Sequence, residues 1–196
     1  LKVQIDERKT RLAEALAMLA SDPAVESAEP DFVQSPEVTD PYLQSSGSWG
    51  QTYGDQWYLH TISAPAAWAL IPSGAPEVVV AVIDSGVDRA HPDLANVTWR
   101  NPDEIAGNGV DDDKNGYIDD AHGWNFASRN NNSLDTHGHG TFVAGLIAAE
   151  HNNGFGTAGA APGARIMALR NGEGSTMYVS ASIEALYYAV EKGARV

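Results

Sequence analysis

Residues 135–150 run Asp-Thr-His-Gly-His-Gly-Thr-Phe-Val-Ala-Gly-Leu-Ile-Ala-Ala-Glu. Small residues crowd two histidines, and Phe142, Val143, Leu146 and Ile147 then recur at helical spacing. The pattern predicts a tightly packed helix that presents an imidazole at its start. Thr141 is the candidate cap, and Phe142 the first residue of the apolar face. Glycines at 138, 140 and 145 leave room for another backbone to come close. A second stretch gives the imidazole a partner. Residues 78–83, Val-Val-Val-Ala-Val-Ile, form an uninterrupted apolar run that ends in Asp84-Ser85-Gly86-Val87-Asp88. Such a run predicts a strand buried on both faces of a parallel sheet, with its carboxylate at the C-terminal edge, where open α/β sheets place their sites.

The bulk composition narrows the classes of function. The chain has 196 residues, 43% of them hydrophobic, and no cysteine, which is enough for a sizeable core without disulfides or thiolate zinc. Asp and Glu number 26 against 12 Lys and Arg, a formal charge of −14. That balance argues against nucleic acid or an anionic membrane as partner and towards solubility or cation binding. No apolar run approaches the roughly 20 residues of a membrane helix, and the N-terminus lacks the basic-then-apolar order of a signal peptide. The chain begins at Leu1 without a Met, so upstream sequence is expected to have been removed.

From the N-terminus, alternation over residues 1–5 predicts a short strand. Leu12, Leu16 and Leu19 then repeat at helical spacing until Ser21-Asp22-Pro23 stops the helix, and residues 25–32 are again extended. From 33 to 54 the composition shifts to Ser, Gln, Gly, Pro and Thr without periodicity, which predicts an exposed linker. Beyond it, Trp57, Tyr58, Leu59, Ile62 and Trp68 supply anchors, and residues 64–70 predict a short helix ended by Pro72. A further buried strand is expected over 164–169. A helix follows from about Val179 to Lys192, with Ile183, Leu186, Tyr187 and Val190 on its apolar face, and another strand starts at 193–196.

Between the two histidine-bearing and aspartate-bearing stretches lies the densest acidic segment, Asn108-Gly-Val-Asp-Asp-Asp-Lys-Asn-Gly-Tyr-Ile-Asp-Asp120. Oxygen side chains at Asp111, Asp113 and Asn115 followed by Gly116 match the first half of a Ca²⁺ loop, in which alternate residues point at one ion and glycine permits the turn. The Tyr117 carbonyl and Asp119 or Asp120 are the candidates to complete it. His122 stands where an EF-hand has its glutamate, so the loop is not a full EF-hand.

A strand-end Asp followed by a helix-start His is the chain order of an Asp, His, Ser triad. Val-Ala-Val-Ile-Asp-Ser-Gly-Val-Asp at 80–88 and Gly-His-Gly-Thr-Phe-Val-Ala-Gly at 138–145 resemble segments of the subtilisin-like serine proteases, the subtilases. Ala-Pro-Ala-Ala-Trp at 64–68, His-Pro-Asp-Leu at 91–94 and Gly-Ala-Ala-Pro at 159–162 extend the resemblance over nearly the whole chain. It implies an α/β fold, a three-layer αβα sandwich with a mostly parallel sheet, here incomplete, preceded by part of a small α+β propeptide. On that basis residues 1–35 are the C-terminal part of an inhibitory propeptide, 36–55 a linker with the processing site, and 56–196 the N-terminal part of a catalytic domain.

The same resemblance implies a secreted or extracytoplasmic serine endopeptidase zymogen acting on polypeptides, with Asp84 and His139 catalytic and the propeptide as its inhibitor. His139, not His137, immediately precedes the Gly-Thr of the motif. The serine and the oxyanion-hole asparagine are expected beyond Val196, in the remainder of the catalytic domain; Ser175, in the order Gly-Ser-Thr, is not the nucleophile. Gly172, Glu173 and Gly174 are implied to pair with substrate as an added strand. A second Ca²⁺ site is implied at His151, Asn153, Phe155 and Thr157 with Asp93. The alternative is a non-catalytic Ca²⁺-binding or propeptide-inhibited module that keeps the protease scaffold.

Overall fold

A computed structural model of the protein describes residues 12–25, 39–70 and 78–196. The chain divides into two compact units, Leu1–Ser35 and Pro36–Val196. In the first, α1 (Leu12–Ala20) ends where the sequence predicts. The Ser21 hydroxyl donates to the Met18 carbonyl at 2.7 Å, one of the groups the helix end leaves open, and the Asp22 carboxylate accepts the Ala24 N–H at 2.9 Å in the turn that follows. The extended segments expected at 1–5 and 26–32 lie outside the described residues.

The second unit opens with three short helices, α2 (Pro41–Gln44), α3 (Trp57–Thr61) and α4 (Ala64–Ala69). Proline sits in the first turn of α2 and α4, where its missing N–H goes unneeded. Leu43, Leu59, Ala64 and Ala158 form a small buried cluster flanked by Tyr58 and Trp68. The stretch expected as an exposed linker at 36–55 is therefore, from Asp40 onward, part of the packed unit. Leu43 supplies an apolar anchor and Asp55 is buried. The Asp55 carboxylate gathers the hydroxyls of Ser45 and Ser48, the Ser48 N–H and the Gln51 amide. A polar composition became structure because one buried carboxylate collects its hydroxyls and amides.

The sheet carries β1 (Val79–Asp84), β2 (Trp124–Asn125) and β3 (Arg165–Arg170), all parallel, in the order β1-β3-β2. Helix α5 (His139–Ala148) lies between β2 and β3 in the chain. Beyond β3 come the hairpin of β4 (Gly172–Glu173) and β5 (Thr176–Met177), then α6 (Val179–Glu191). The Arg195 N–H donates to the Val79 carbonyl and the Ala81 N–H to the Val196 carbonyl, both at 2.9 Å, so the expected next strand starts along the other edge of β1.

Alternation along the strands divides the core in two. Val80, Val82, Ile166 and Ala168 pack with Ala144 and Ala148 of α5. Val79, Ala81, Ile83, Met167 and Leu169 pack with Ala181, Ala185, Tyr188 and Ala189 of α6. Helices on both faces of a parallel sheet make the three-layer α/β arrangement that period-2 side-chain alternation requires.

The faces of the two helices differ from the expectation. In α5 the stripe turned inward is Gly140, Ala144 and Ala148; Val143 and Ile147 pack partly, and Phe142 is 63% exposed. In α6 the expected face of Ile183, Leu186, Tyr187 and Val190 is the exposed one, and Ala181, Ala185, Tyr188 and Ala189 are buried. Each helix carries two apolar stripes with the same period. Apart from Tyr188, the stripe facing the sheet is glycine and alanine, which lets each helix come close to strands that already fill the space with larger side chains.

The start of α5 comes close to the end of β1 at Gly140, where a Cβ would stand 2.1 Å from the Gly86 carbonyl oxygen and 3.1 Å from the Asp84 Cβ. Gly86 itself, at φ 108°, occupies the region open to glycine and turns the chain away from the end of β1. Gly140→Ala forces α5 and the β1 turn apart, so it is expected to lower stability by at least about 2 kcal/mol in urea unfolding at fixed calcium. A loss below about 0.5 kcal/mol would show that the contact is loose.

Candidate active site

The last residue of β1 and the first of α5 meet although 55 positions separate them. Nδ1 of His139 lies 2.9 Å from Oδ1 and 2.8 Å from Oδ2 of Asp84. The Asp84 side chain is 14% exposed and the His139 side chain 57% exposed, so a largely sheltered carboxylate faces an imidazole open to solvent. Asp84 Oδ1 also accepts its neighbour's N–H, from Ser85 at 2.7 Å. Both imidazole contacts to the carboxylate come from His139; His137 is exposed in the approach loop.

A second carboxylate, Asp135, fixes this meeting. Its Oδ1 accepts the N–H groups of His137 and Gly138 at 2.8 and 2.9 Å and the Ser85 hydroxyl at 2.9 Å. Its Oδ2 accepts the Thr141 N–H at 2.9 Å and the Thr141 hydroxyl at 2.6 Å. The Ser85 oxygen in turn accepts the Gly140 N–H at 3.0 Å, and Thr141 Oγ1 accepts the Asp88 N–H at 2.9 Å. Thr141 is thus inside the helix, not its cap; at the start of α5 Asp135 meets the Thr141 amide and the Ser85 hydroxyl meets that of Gly140. One carboxylate ties the residue after Asp84 to the turn that carries His139. Sequence reasoning passed over Asp135, although an Asp four residues before a helix-start His is a ready acceptor for that helix's amides.

Burial opposes ionisation of Asp135, but hydrogen bonds from Thr141, Gly138 and His137 outweigh it and hold the carboxyl well below the ordinary carboxylate range.

Gly172 and Glu173 pair with Met177 and Thr176 in an antiparallel hairpin, and the exposed strand is β5. Gly172 is buried and its carbonyl accepts from Arg170 Nε at 3.0 Å. Of the expected edge, Gly172 is therefore turned inward, while Glu173 and Gly174 are exposed, as are Thr176 and Met177. Arg170, buried at the end of β3, also donates to the Leu134 carbonyl and Thr136 hydroxyl at 3.1 Å and to Glu173 at 2.6 Å. It joins the hairpin to the loop before His139.

In the acidic loop, oxygens of Glu104, Asp111 and Asp113 lie within 4.8 Å of one another. Glu104 is buried; its Oε1 accepts the Asp112 N–H at 2.8 Å, while its Oε2 is buried without a partner. The expected Asp119 and Asp120 are engaged elsewhere. Asp119 caps the N–H groups of Gly107, Asn108 and Gly109. Asp120, fully buried, is satisfied by Asn101, Asn115 and the Tyr188 hydroxyl. Asn115 donates its amide to Asp113 and Asp120 and accepts the Tyr117 N–H at 2.7 Å. Burial raises the Asp113 carboxyl, but the Lys192 ammonium and the Asn101 amide more than reverse this and hold it below its usual value. Glu104 was missed because it stands seven residues before the alternating pattern begins; only its burial distinguishes it.

Around the loop at 151–157, Asp93 accepts the Asn153 amide at 2.8 Å and the Thr157 N–H at 2.9 Å. His151 turns its ring to the Gly159 carbonyl, and the Asn153 side chain accepts the Phe155 N–H at 2.8 Å. Asp40, which the sequence reading placed in the linker, reaches the same loop. Its Oδ2 accepts the Asn152 N–H at 3.0 Å, and its Oδ1 is buried without a partner.

The model of the subtilase family of peptidases matches residues 75–196, more than half of the chain, and the protein belongs to that family. It is 34% identical over 184 residues to the thermophilic serine proteinase of Bacillus sp. (strain AK1), covering 91% of this chain and 37% of that one. To thermitase of Thermoactinomyces vulgaris it is 32% identical over 159 residues, 80% of this chain and 45% of that protein. Subtilisin-like protease 1 of Plasmodium berghei (strain Anka) matches at 38% over 114 residues, 57% of this chain and 19% of the relative. The chain spans less than half the length of each of these relatives.

Asp135 stabilises the fold only while ionised. Its folded value is depressed, so the contribution is present above the ordinary Asp value of about 3.9 and is lost as the pH falls below it. Asp135→Asn is expected to lose roughly 2–4 kcal/mol at pH 7, and its gap from the wild type should narrow between pH 5 and pH 2. A pH-independent gap in denaturant melts would rule out the charged clamp.

Proposed function

We propose that this chain is part of a subtilase zymogen, a serine endopeptidase that hydrolyses peptide bonds through an Asp-His-Ser triad, with Asp84 and His139 as two of its members. The observation that carries the reading is the double contact of His139 Nδ1 with the Asp84 carboxylate at 2.8 and 2.9 Å. With Nδ1 held there, Nε2 is the nitrogen left to take the proton of an attacking serine as general base. Asp84 fixes the tautomer and stabilises the imidazolium; His139 then returns the proton to the leaving amine as the acyl-enzyme forms. The nucleophile and oxyanion donors belong to the remainder of the catalytic domain, on this reading beyond Val196. The exposed part of the β4–β5 hairpin, Glu173 and Gly174 with Thr176 and Met177, is the edge against which an extended substrate pairs.

Residues 1–35 act as the end of an inhibitory propeptide. Because Asp40 onward is packed, the self-processing cut falls between Val33 and Asp40. Two Ca²⁺ sites support the scaffold: Glu104, Asp111 and Asp113 in one, Asp40, Asp93, Asn153 and carbonyls of the 151–157 loop in the other. The unpartnered buried oxygens of Glu104 and Asp40 fit a hard cation, which supplies the positive charge they lack. Millimolar extracellular calcium suits such sites and a secreted protein. Among the described residues no helix is long and apolar enough to cross a membrane.

In the full-length protein, His139→Ala is expected to lower kcat by about 10⁴ or more, and His137→Ala to change it less than about threefold. Equal losses would overturn the assignment. For calcium, the melting temperature of the chain should rise with the logarithm of free Ca²⁺, and Glu104→Gln should flatten that slope. A slope untouched by Glu104→Gln would remove Glu104 from the site.

A further inference from the structure

Arg170 ends β3 with its backbone held on both sides. It stands opposite Asp84 in the parallel register, and its carbonyl accepts the Phe126 N–H at 2.8 Å. The Asn171 N–H donates to the Asp84 carbonyl at 3.0 Å, so the ladder continues past the end of both strands. Val82 and Ala168 pack towards α5, and two residues further along each strand Asp84 and Arg170 project to that same side. The Arg170 side chain is only 5% exposed.

A guanidinium is a planar fork whose donors point in fixed directions. That of Arg170 divides its donors between two neighbouring segments. Towards the hairpin, Nε donates to the Gly172 carbonyl and Nη2 to the Glu173 carboxylate. Towards the loop that leads into α5, Nη1 donates to the Leu134 carbonyl and Nη2 to the Thr136 hydroxyl. Leu134 and Thr136 flank Asp135, the carboxylate that holds the amides of His137, Gly138 and Thr141. On the hairpin side, the Ser128 hydroxyl and, after it, the charge of Arg170 hold the Glu173 carboxyl below its ordinary value, which keeps this arm ionic. One rigid group thus stands between the exposed hairpin and the turn that carries His139. Replacing buried charges by apolar residues of similar volume is often neutral for stability. Stability alone does not call for a guanidinium here; the directions of its donors do.

Resting on the protease reading above, we propose that Arg170 is a positioning residue for peptide hydrolysis: it makes the placement of His139 depend on a polypeptide lying along the β4–β5 hairpin. A chain paired there fixes Glu173 and the guanidinium plane with it. Residues 134–136 then lose the freedom to carry Asp135, and with it the His139 turn, away from Asp84. Binding energy from parts of the substrate remote from the cleaved bond serves in this way to set the geometry at the reacting atoms, which raises kcat rather than lowering KM. The reach is adequate. Glu173 lies three residues past the register partner of Asp84, roughly 10–15 Å from it, and four extended substrate residues span roughly 13 Å against about 3.5 Å for one.

The test compares two thiobenzyl esters in the full-length protein, one of a single residue and one of four residues with the same residue at the cleaved bond. Arg170→Lys keeps the charge but not the fork. It is expected to narrow the ratio of kcat between the longer and the shorter ester about tenfold or more, with the ratio of KM moved less than about threefold. An unchanged kcat ratio, or a narrowing carried by KM, would overturn the proposal. Amide exchange in the 196-residue chain, followed by NMR, reads the same link without turnover. In Arg170→Lys the His137 and Gly138 amides should exchange at least about threefold faster relative to those of Met167 and Leu169 in β3; uniform acceleration, or none, counts against the role. If Arg170→Lys does not fold, Thr136→Val decides by the same kcat ratio, since its position is exposed and it cuts one of the two bonds to the loop. A narrowing of about threefold supports the proposal and an unchanged ratio rejects it. A wild type that cleaves neither ester overturns the protease reading itself, whereas a wild type that cleaves both, with Arg170→Lys showing the same ratio, overturns only the role of Arg170.

Discussion

The geometry of this unit depends on how closely the start of α5 can approach the end of β1. A helix that delivers an imidazole to a strand-end carboxylate must bring its first turn against the strand's own turn, and any Cβ at 140 meets the Gly86 carbonyl. Glycine removes the obstacle but offers no attraction. Asp135 provides it, by collecting the open amides at the helix start together with the hydroxyl of Ser85. Hydrogen bonds to an ionised group are the strong ones, and five on one carboxylate leave the Asp84 and His139 pair little freedom to separate.

A similar economy governs the acidic loop, where like charges crowd one segment. Asp119 is neutralised in effect by three backbone amides and Asp120 by two side-chain amides and a phenol. Burial, and then the charge and hydrogen bond of Glu184, push the Tyr117 phenol up to about 12, so it stays a neutral donor to that carboxylate. Lys192 reaches Asp113 from the end of α6. The loop is thereby fastened to the helix on the far face of the sheet at three points: Tyr188 to Asp120, Glu184 to Tyr117, and Lys192 to Asp113. What remains without a partner is narrow: one buried oxygen of Glu104, which stands within reach of carboxylate oxygens of Asp111 and Asp113.

The sequence by itself determined the class of fold, the strand that ends in Asp84, the helix that starts at His139, and the choice of His139 over His137. An unbroken β-branched run and a glycine-flanked His-Gly-Thr are local signals, and period-2 and period-3.6 patterns need no tertiary context to be seen. Only the tertiary structure decided which of two equally periodic stripes faces the core. On α5 and α6 the larger side chains lost, because helix-to-sheet distance is a property of the packed layers and not of the helix. The same holds for Asp40, Glu104 and Asp135, ordinary acidic residues in sequence. Burial and the convergence of amides, hydroxyls and chain segments gave each its place, through contacts that reach up to 112 positions and that, apart from the amides Asp135 meets two and three residues on, leave no local pattern to find.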